Sequence, residues 1–235
     1  MLVGGPRLIE VARSKGMGIR VLTNASKSNS SVLRELRDIG LGLREGEVIS
    51  AAELTAQYLR EKMGKTRVWV LGEPELGEAL TLYGHEVVDH DPDVVVVGLD
   101  RSLNYEKLNK ALLFLRQGAR LVGVHSSRRI PVSGGETLSV GPVVKALEYA
   151  AEKKAVVIGK PSKIMFEAAL KSMGLRASMT AMVSDELQID LMPAKSIGMK
   201  TVLTLTGVST RDDARRLGFK PTLIVNNVDE LADYL

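Results

Sequence analysis

Short aliphatic segments alternate with amphipathic helical segments along nearly the whole chain, and this alternation constrains the fold more than any other feature. The segment 93–97 is almost entirely valine, whereas Tyr105, Leu108, Leu112 and Leu115 recur at the spacing of one helix face. Aliphatic strands separated by amphipathic helices are typical of a parallel sheet covered by helices. The length of 235 residues suits one large domain or two small ones. We therefore predict an α/β fold.

Composition and charge exclude several classes of protein. Hydrophobic residues make up 45% of the chain and charged residues 26%, which predicts a globular rather than a disordered protein. The chain has no cysteine, so disulfides, thiolate metal sites and a thiol nucleophile are excluded. The longest aliphatic run, 94–97, is far too short to cross a membrane, and no signal segment opens the chain. We expect a cytoplasmic protein with no membrane or nucleic-acid partner, because its basic residues are scattered among acidic ones and its aromatics are few.

Polar residues with useful chemistry follow three of the predicted strands, at 19–22, 155–158 and 179–183. The loops at the carboxyl ends of parallel strands meet at one edge of a sheet, where ligands bind. Together these loops offer a hydroxyl, an amide, an ammonium and a carboxylate, which suit a phosphate with a divalent cation. The residues concerned are Thr23 and Asn24 in the first loop, Gly159 and Lys160 in the second, and Ser184 and Asp185 in the third.

The common nucleotide-binding motifs do not account for this pattern. Gly40-Leu41-Gly42 is followed by a glycine at 46 rather than at 45, so it is not a dinucleotide-binding loop. Gly64-Lys65-Thr66 resembles the end of a phosphate-binding loop, but Leu59 occupies the position of the required glycine and a strand follows instead of a helix. A dinucleotide-dependent dehydrogenase and a P-loop kinase are therefore disfavoured.

Three segments, in this order, resemble motifs II, III and IV of the haloacid dehalogenase (HAD) superfamily: Leu22-Thr23-Asn24-Ala25-Ser26, Gly159-Lys160-Pro161-Ser162 and Val183-Ser184-Asp185-Glu186-Leu187-Gln188-Ile189-Asp190. The long insert between Lys65 and about Lys153 is similar to the C2-type α/β cap of the 4-nitrophenylphosphatase-like (NagD-type, subfamily IIA) branch. The resemblance covers essentially the whole chain, including the tail Gly207-Val208-Ser209-Thr210. It implies a Rossmannoid, HAD-like core with a parallel sheet, formed by residues 1–64 and 153–235, and an inserted α/β cap domain formed by residues 65–152.

The resemblance also implies a role for each matched residue. Thr23 would donate its hydroxyl, and Asn24 its amides, to phosphoryl oxygens of the substrate. Lys160 would neutralise developing charge and steady the nucleophile, Asp185 would hold Mg2+, and Asp190 would orient metal-bound water or the basic side of the site without contacting the metal. We expect Thr23, Lys160 and Asp185 to converge in space.

The function implied is that of a Mg2+-dependent phosphate monoester hydrolase acting on a small phosphorylated metabolite or on 4-nitrophenyl phosphate, with a homodimer as the expected assembly. Family members begin with a strand ending in Asp-x-Asp-Gly, whose first aspartate attacks phosphorus. This sequence lacks that element, and its opening Met1-Leu2-Val3-Gly4-Gly5-Pro6 resembles the residues that follow it. We therefore expect little or no turnover, because of a misassigned start or a truncated gene. The alternative is a non-catalytic pseudoenzyme that binds phosphorylated metabolites.

Two smaller departures from the family pattern concern the same regions. Ser184 stands where the family usually has glycine, and His125-Ser126-Ser127 stands where relatives commonly have Asn-Pro-Asp. For His125 two interpretations remain open: a side chain that faces the substrate, or an exposed loop histidine.

Local signals predict the structure of three further segments. Ser50 and Glu53 have the spacing of a capping box, which predicts a helix from there to Met63. Pro131 and Gly134-Gly135 predict that the segment 126–137 is irregular. His and Asp residues are frequent in the segment 85–93, and we interpret this segment as a polar hairpin or loop rather than a metal site.

Overall fold

The computed structural model describes residues 4–235, so the sequence comparison at Met1–Val3 lies outside the described residues. The helices are α1 (Gly5–Ser14), α2 (Asn29–Asp38), α3 (Ala51–Met63), α4 (Pro74–Leu82), α5 (Tyr105–Arg116), α6 (Val140–Ala151), α7 (Lys163–Met173), α8 (Met192–Ser196), α9 (Arg211–Arg216) and α10 (Val228–Asp233). A 3₁₀ turn (Ala177–Met179) and a π-helical turn (Leu187–Leu191) add to them. None of these helices combines the length and apolar character needed to cross a membrane.

The strands are β1 (Val21–Thr23), β2 (Val48–Ser50), β3 (Arg67–Leu71), β4 (Glu86–Val87), β5 (Val94–Val97), β6 (Arg120–Gly123), β7 (Arg129–Val132), β8 (Gly135–Leu138), β9 (Val156–Val157), β10 (Ala181–Ser184), β11 (Lys200–Thr204) and β12 (Leu223–Val225). A five-stranded sheet has the order β4-β3-β5-β6-β9, and a three-stranded sheet has the order β10-β11-β12. Every neighbouring pair in these two sheets is parallel. The predicted α/β fold with parallel sheets is therefore confirmed.

The chain divides into two compact units. The first unit consists of Met1–Val21, Ser30–Val48 and Phe166–Leu235, and the second consists of Leu22–Asn29 and Ile49–Met165. The division passes through β1, α2, β2 and α7. The predicted assignment of residues 1–64 and 153–235 to a core domain and of 65–152 to a cap stays a prediction.

The second unit is organised around β5, whose four valines are fully buried. This strand pairs with β3 on one side and with β6 on the other. Helices α5 and α6 pack against the sheet through apolar side chains such as Leu115 and Val144. The rings of Trp69 and Phe114 meet edge to face, with centroids 5.5 Å apart. An entirely apolar strand is the expected sequence for the buried centre of a parallel sheet.

The first unit has β11 at the centre of its sheet and apolar groups on both faces. Leu203 packs with Leu187 and Leu191 of the π-helical turn on one side. Val202, which alternates with Leu203 along the strand, packs with Leu231 of α10 on the other side. Adjacent residues of a strand point to opposite faces, so both faces of this sheet are covered.

The predicted helix after Ser50 is confirmed as α3, but the capping residues bond differently from the prediction. The Ser50 hydroxyl accepts a hydrogen bond from the Glu53 N–H at 3.2 Å, as expected. The Glu53 carboxylate instead accepts from the Asn29 N–H at 2.6 Å and from the Tyr83 hydroxyl at 2.8 Å. The Glu53 side chain thus links α3 to the start of α2 and the end of α4 rather than closing its own helix end.

The prediction that the segment 126–137 is irregular is wrong, because β7 and β8 form an antiparallel hairpin there. The pairing leaves two residues for the turn, and one of them, Gly134, has a φ of +88° that suits glycine. Pro131 lies within β7, in a sheet of only two strands. Such a strand tolerates proline because its outer edge needs no N–H donor.

The polar segment 85–93 contains the short strand β4, and its histidine at 85 is a structural residue. The Nδ1 atom of His85 lies 2.7 Å from the Thr66 hydroxyl, and its Nε2 atom lies 3.0 Å from the Ala56 carbonyl. Across residues 4–235, no three His, Asp or Glu side chains are grouped so that they could hold a metal ion.

Removing a buried side chain from α5 should cost far more stability than removing an exposed one. Leu115 is fully buried, whereas Leu113 on the same helix is 53% exposed. We expect Leu115→Ala to lower the free energy of unfolding by about 2–5 kcal/mol, since it removes apolar contacts and leaves a cavity. Leu113→Ala has the same change in helix propensity and should cost about 0.5 kcal/mol or less. Urea denaturation measures both, and equal losses would contradict this account of the core.

Candidate functional site

The predicted site residues fall into two groups, one in each unit. Thr23 ends β1, and Asn24 follows it; Lys160 lies in the loop between β9 and α7. These three residues belong to the second unit. Asp185 directly follows β10, and Asp190 lies in the π-helical turn, both in the first unit. The structure connects Asn24 with Lys160 and places Asp185 and Asp190 at the end of β10, while the convergence of all the residues in one pocket stays a prediction.

In the second unit, a set of hydrogen bonds joins Asn24, His125, Ser127 and Lys160, which we call the Asn24 cluster. The Asn24 Oδ1 atom accepts from the Lys160 N–H at 2.8 Å. The Asn24 Nδ2 group donates to the Lys160 carbonyl at 3.0 Å and to the Ser127 hydroxyl at 3.2 Å. The Asn24 amide thus contacts both backbone polar groups of Lys160.

The glycine before Lys160 is required by close packing. A Cβ atom at Gly159 would lie 2.6 Å from the Val124 carbonyl oxygen, 2.7 Å from Asn24 Oδ1 and 2.8 Å from the Cβ of Ala51. The Gly159 N–H also donates to the Val124 carbonyl at 2.7 Å. No side chain fits there without moving backbone atoms, which explains glycine at this position of the motif.

His125 is buried, so its interpretation as an exposed loop histidine is wrong. Its side chain is only 5% exposed, and its Nδ1 atom accepts from the Ser127 N–H at 3.2 Å. This bond requires the neutral imidazole, with its proton on Nε2. Burial lowers the pKa of His125 from 6.5 to about 4, and the nearby Lys160 ammonium also lowers it. The imidazole is therefore neutral at physiological pH.

Thr23 has the bonding pattern of a threonine at the start of a turn. Its hydroxyl oxygen accepts from the Ala25 N–H at 3.2 Å. This bond does not use the hydroxyl hydrogen, which is compatible with the predicted donation to a phosphoryl oxygen.

In the first unit, loop 205–210 holds Asp185 in place. The Asp185 Oδ2 atom accepts from the Val208 N–H at 2.9 Å, and the Asp185 carbonyl accepts from the Ser209 N–H at 2.9 Å. A Cβ atom at Gly207 would overlap Asp185 Oδ2 and lie 2.5 Å from Asp185 Cγ. The carboxylate therefore occupies the space that any other residue at 207 would fill.

Ser184 connects β10 to the π-helical turn. Its hydroxyl donates to Asp190 Oδ2 at 2.6 Å and accepts from the Glu186 N–H at 3.0 Å. The family glycine at this position could make neither bond. Single π-helical turns are frequent at functional sites, because the extra residue redirects side chains.

The donor set in the first unit fits Mg2+. Magnesium prefers oxygen ligands, keeps several waters, and usually takes only one or two carboxylates from the protein together with substrate phosphate oxygens. Asp185 supplies a carboxylate that accepts from the Val208 N–H and fills the space beside Gly207, while its backbone carbonyl accepts from the Ser209 N–H. Asp185 is thus the residue that would hold the ion. Asp190 would orient metal-bound water without contacting the ion.

Sequence reasoning did not assign roles to Ser127 and Gly207. Ser127 is 103 residues from Asn24 in sequence, and no local pattern marks the pairing of the two side chains. The tail Gly207-Val208-Ser209-Thr210 belongs to the family resemblance, so that resemblance is the one signal that could have marked Gly207 as a site residue.

A side chain at position 207 should displace the Asp185 carboxylate. We expect Gly207→Ala to lower the free energy of unfolding by about 1–3 kcal/mol, because backbone or carboxylate must shift. Gly42 in the same unit has open space around it. Gly42→Ala should therefore leave stability unchanged or raise it by up to about 1 kcal/mol. Urea denaturation of both variants measures the difference, and a neutral Gly207→Ala would refute the packing argument.

Stability should depend on pH through His125. As pH falls from 6.5 to about 4, the unfolded chain binds a proton at this imidazole and the folded chain does not. The contribution of His125 to the free energy of unfolding is therefore complete above pH 6.5. As pH falls from 6.5 to about 4, about 3 kcal/mol of it is lost.

In His125→Asn, the Asn Oδ1 atom can still accept from the Ser127 N–H, but the side chain does not titrate. Between pH 4 and 7 the unfolding free energy should change less in this variant than in the unaltered chain. The two changes should differ by about 3 kcal/mol. His90 is exposed, and His90→Asn is the matched control. Urea denaturation at several pH values gives the slopes, and parallel curves for His125→Asn and the unaltered chain would disprove the prediction.

Two family models match the chain. Residues 1–86 match the model described as haloacid dehalogenase-like hydrolase, and residues 157–231 match the model described as HAD-hydrolase-like. Human glycerol-3-phosphate phosphatase is 34% identical over 243 aligned positions, covering 90% of this chain and 76% of that protein. The acid sugar phosphatase of Staphylococcus aureus is 32% identical, covering 97% of this chain and 88% of that protein.

Solved structures agree with these sequence matches. The p-nitrophenyl phosphatase from Archaeoglobus fulgidus superimposes with a TM-score of 0.93 at 33% identity, covering 99% of this chain and 92% of that one. The chain therefore belongs to the haloacid dehalogenase-like hydrolase family, in its 4-nitrophenylphosphatase-like (NagD-type) branch.

Proposed function

We propose that this protein is of the phosphatase type and binds phosphate monoesters of small metabolites together with Mg2+. The observation that carries the proposal is the Asn24 cluster, in which a lysine of a Gly-Lys-Pro-Ser loop is bonded through its backbone to a Thr-Asn turn. Phosphoryl transfer is catalysed mainly by positioning and by electrostatic stabilisation, and a lysine whose backbone is fixed by hydrogen bonds suits that chemistry.

Each group of residues has a separate part in this proposal. Thr23 donates its hydroxyl hydrogen to a phosphoryl oxygen, and the Lys160 ammonium offsets the negative charge of the phosphoryl group. Asp185 holds Mg2+, and Asp190, held by Ser184, orients the surroundings of the ion. The ion, when bound at Asp185, supplies positive charge.

The range of substrates is proposed from the relatives. The named activities of similar proteins are those of glycerol-3-phosphate, acid sugar and p-nitrophenyl phosphatases. All three names describe phosphate esters of small organic groups. We extend that class, and no single compound within it, to this chain.

Mg2+ and inorganic phosphate should each raise the melting temperature. A ligand at a hundred times its Kd stabilises the folded chain by about 2.7 kcal/mol. Asp185→Asn should abolish the effect of Mg2+, because the amide can still accept from the Val208 N–H but lacks the charge. Lys160→Ala should greatly reduce the effect of phosphate, leaving only weak residual binding. Thermal unfolding with and without each ligand measures both results.

Two exposed residues serve as matched controls. Asp212 lies in the same unit as Asp185, and Lys163 begins the helix that follows the Lys160 loop. Asp212→Asn and Lys163→Ala should retain both ligand effects. Absence of any phosphate effect in the unaltered chain would refute the proposal. Release of nitrophenolate from 4-nitrophenyl phosphate then separates the hydrolase, which turns over, from the non-catalytic phosphate-binding protein, which does not.

A further inference from the structure

The side-chain amide of Asn24 has a limited number of hydrogen-bonding groups, and the fold already uses its donors. An asparagine side chain carries two N–H donors and one carbonyl oxygen. One N–H is donated to the Lys160 carbonyl and the other to the Ser127 hydroxyl, at 3.0 and 3.2 Å. A phosphoryl oxygen needs a donor, so the Asn24 side chain could contact it only by giving up one of these bonds.

The orientation of the amide follows from its neighbours. The Lys160 N–H requires an acceptor, and Asn24 Oδ1 lies 2.8 Å from it. Rotating the amide by 180° would place an N–H group against that N–H and the oxygen against the Lys160 carbonyl. The oxygen must therefore face the Lys160 N–H, and both amide hydrogens must face the other two groups.

The partners of Asn24 are themselves held by further contacts. The Lys160 loop approaches Asn24 closely because Gly159 has no side chain. Ser127 is buried, its N–H donates to His125 Nδ1, and its carbonyl accepts from the Gly141 N–H at the start of α6. Asn24 is therefore the link between the Lys160 loop and a loop that β6 and α6 fix in place.

The geometry points to Asn24 as a positioning residue, which sets the backbone of Lys160 through its side-chain amide and does not use that amide to bind phosphate. Ser127 is its second anchor. This inference rests on the proposed function in one respect only, the binding of phosphate by Lys160. It replaces the expectation that the Asn24 side-chain amide donates to phosphoryl oxygens, and it leaves Thr23 and Lys160 as the side chains that contact phosphate in this unit.

Amide hydrogen exchange at Lys160, followed by NMR, tests the positioning role without any ligand. Asn24→Ala removes the acceptor of the Lys160 N–H, so exchange at this amide should accelerate roughly tenfold or more. Asn104→Ala is the matched control, because Asn104 caps α5 by accepting from the Lys107 N–H and should lose similar stability without touching Lys160. Unchanged exchange at Lys160 in Asn24→Ala, or equal acceleration in both variants, would overturn the inference.

Calorimetric titration with inorganic phosphate separates positioning from direct contact. Asn24→Ala should weaken phosphate binding roughly tenfold in the unaltered chain and less than about twofold in a Lys160→Ala background, because residues acting through one group are not additive. A residue that contacts phosphate itself would cause the same loss in both backgrounds, which would overturn the inference. Asn24→Ala should destabilise both backgrounds equally, since its bonds are to the Lys160 backbone and to Ser127, not to the Lys160 side chain.

The two measurements also separate this inference from the proposed function. If the unaltered chain binds no phosphate, the proposed function fails, whereas the exchange rate at Lys160 still decides whether Asn24 sets its backbone. Ser127→Ala gives an intermediate result if the inference holds: faster exchange at Lys160 than in the unaltered chain, and slower exchange than in Asn24→Ala. Exchange in Ser127→Ala equal to that of the unaltered chain would remove Ser127 as an anchor and overturn that part of the inference.

Discussion

The parallel pairing of β5 with a strand on each side is the constraint on which the second unit depends. The backbone groups of β5 bond to β3 and β6, and the four valines of β5 are fully buried. A strand buried on both faces has no place for polar side chains along its length, so polar groups collect beyond the strand ends. His125 and Ser127 follow the end of β6, and Lys160 follows the end of β9. In the first unit Asp185 follows β10 in the same way.

The elements that could be predicted are those whose signals are local. The helix predicted after Ser50 is α3 and ends at Met63 as expected, because its capping residues and its stop signal lie within the segment. The hairpin β7–β8 was missed, since proline and glycine predict breaks unless a strand lies at an edge. The strands β2 and β4 are two or three residues long and exist through their pairing partners, which no local pattern specifies.

In the candidate site, too, the residues with a local sequence signal could be predicted, and their tertiary contacts could not. Thr23, Lys160 and Asp185 could be identified because each lies in the loop that follows a predicted strand. Their partners could not be predicted, because Asn24 and Ser127 are 103 residues apart and Asp185 meets residues of the 205–210 loop. The use of the Asn24 donors is likewise a property of the folded chain. The residue type determines which hydrogen bonds a side chain can make. Only the folded structure shows which of these bonds are used within the protein.

Two departures from the family pattern counted against the site when the sequence was considered alone, and the structure gives both a physical reason. A buried polar atom is tolerated when it has a partner, and it costs stability when it has none. The Ser184 hydroxyl bonds to Asp190, and the His125 imidazole bonds to the backbone of Ser127. Glycine at 184 would deprive Asp190 of that donor, and a protonated imidazole at 125 could not accept from Ser127. These departures therefore supply contacts that hold Asp190 in the first unit and Ser127 in the second.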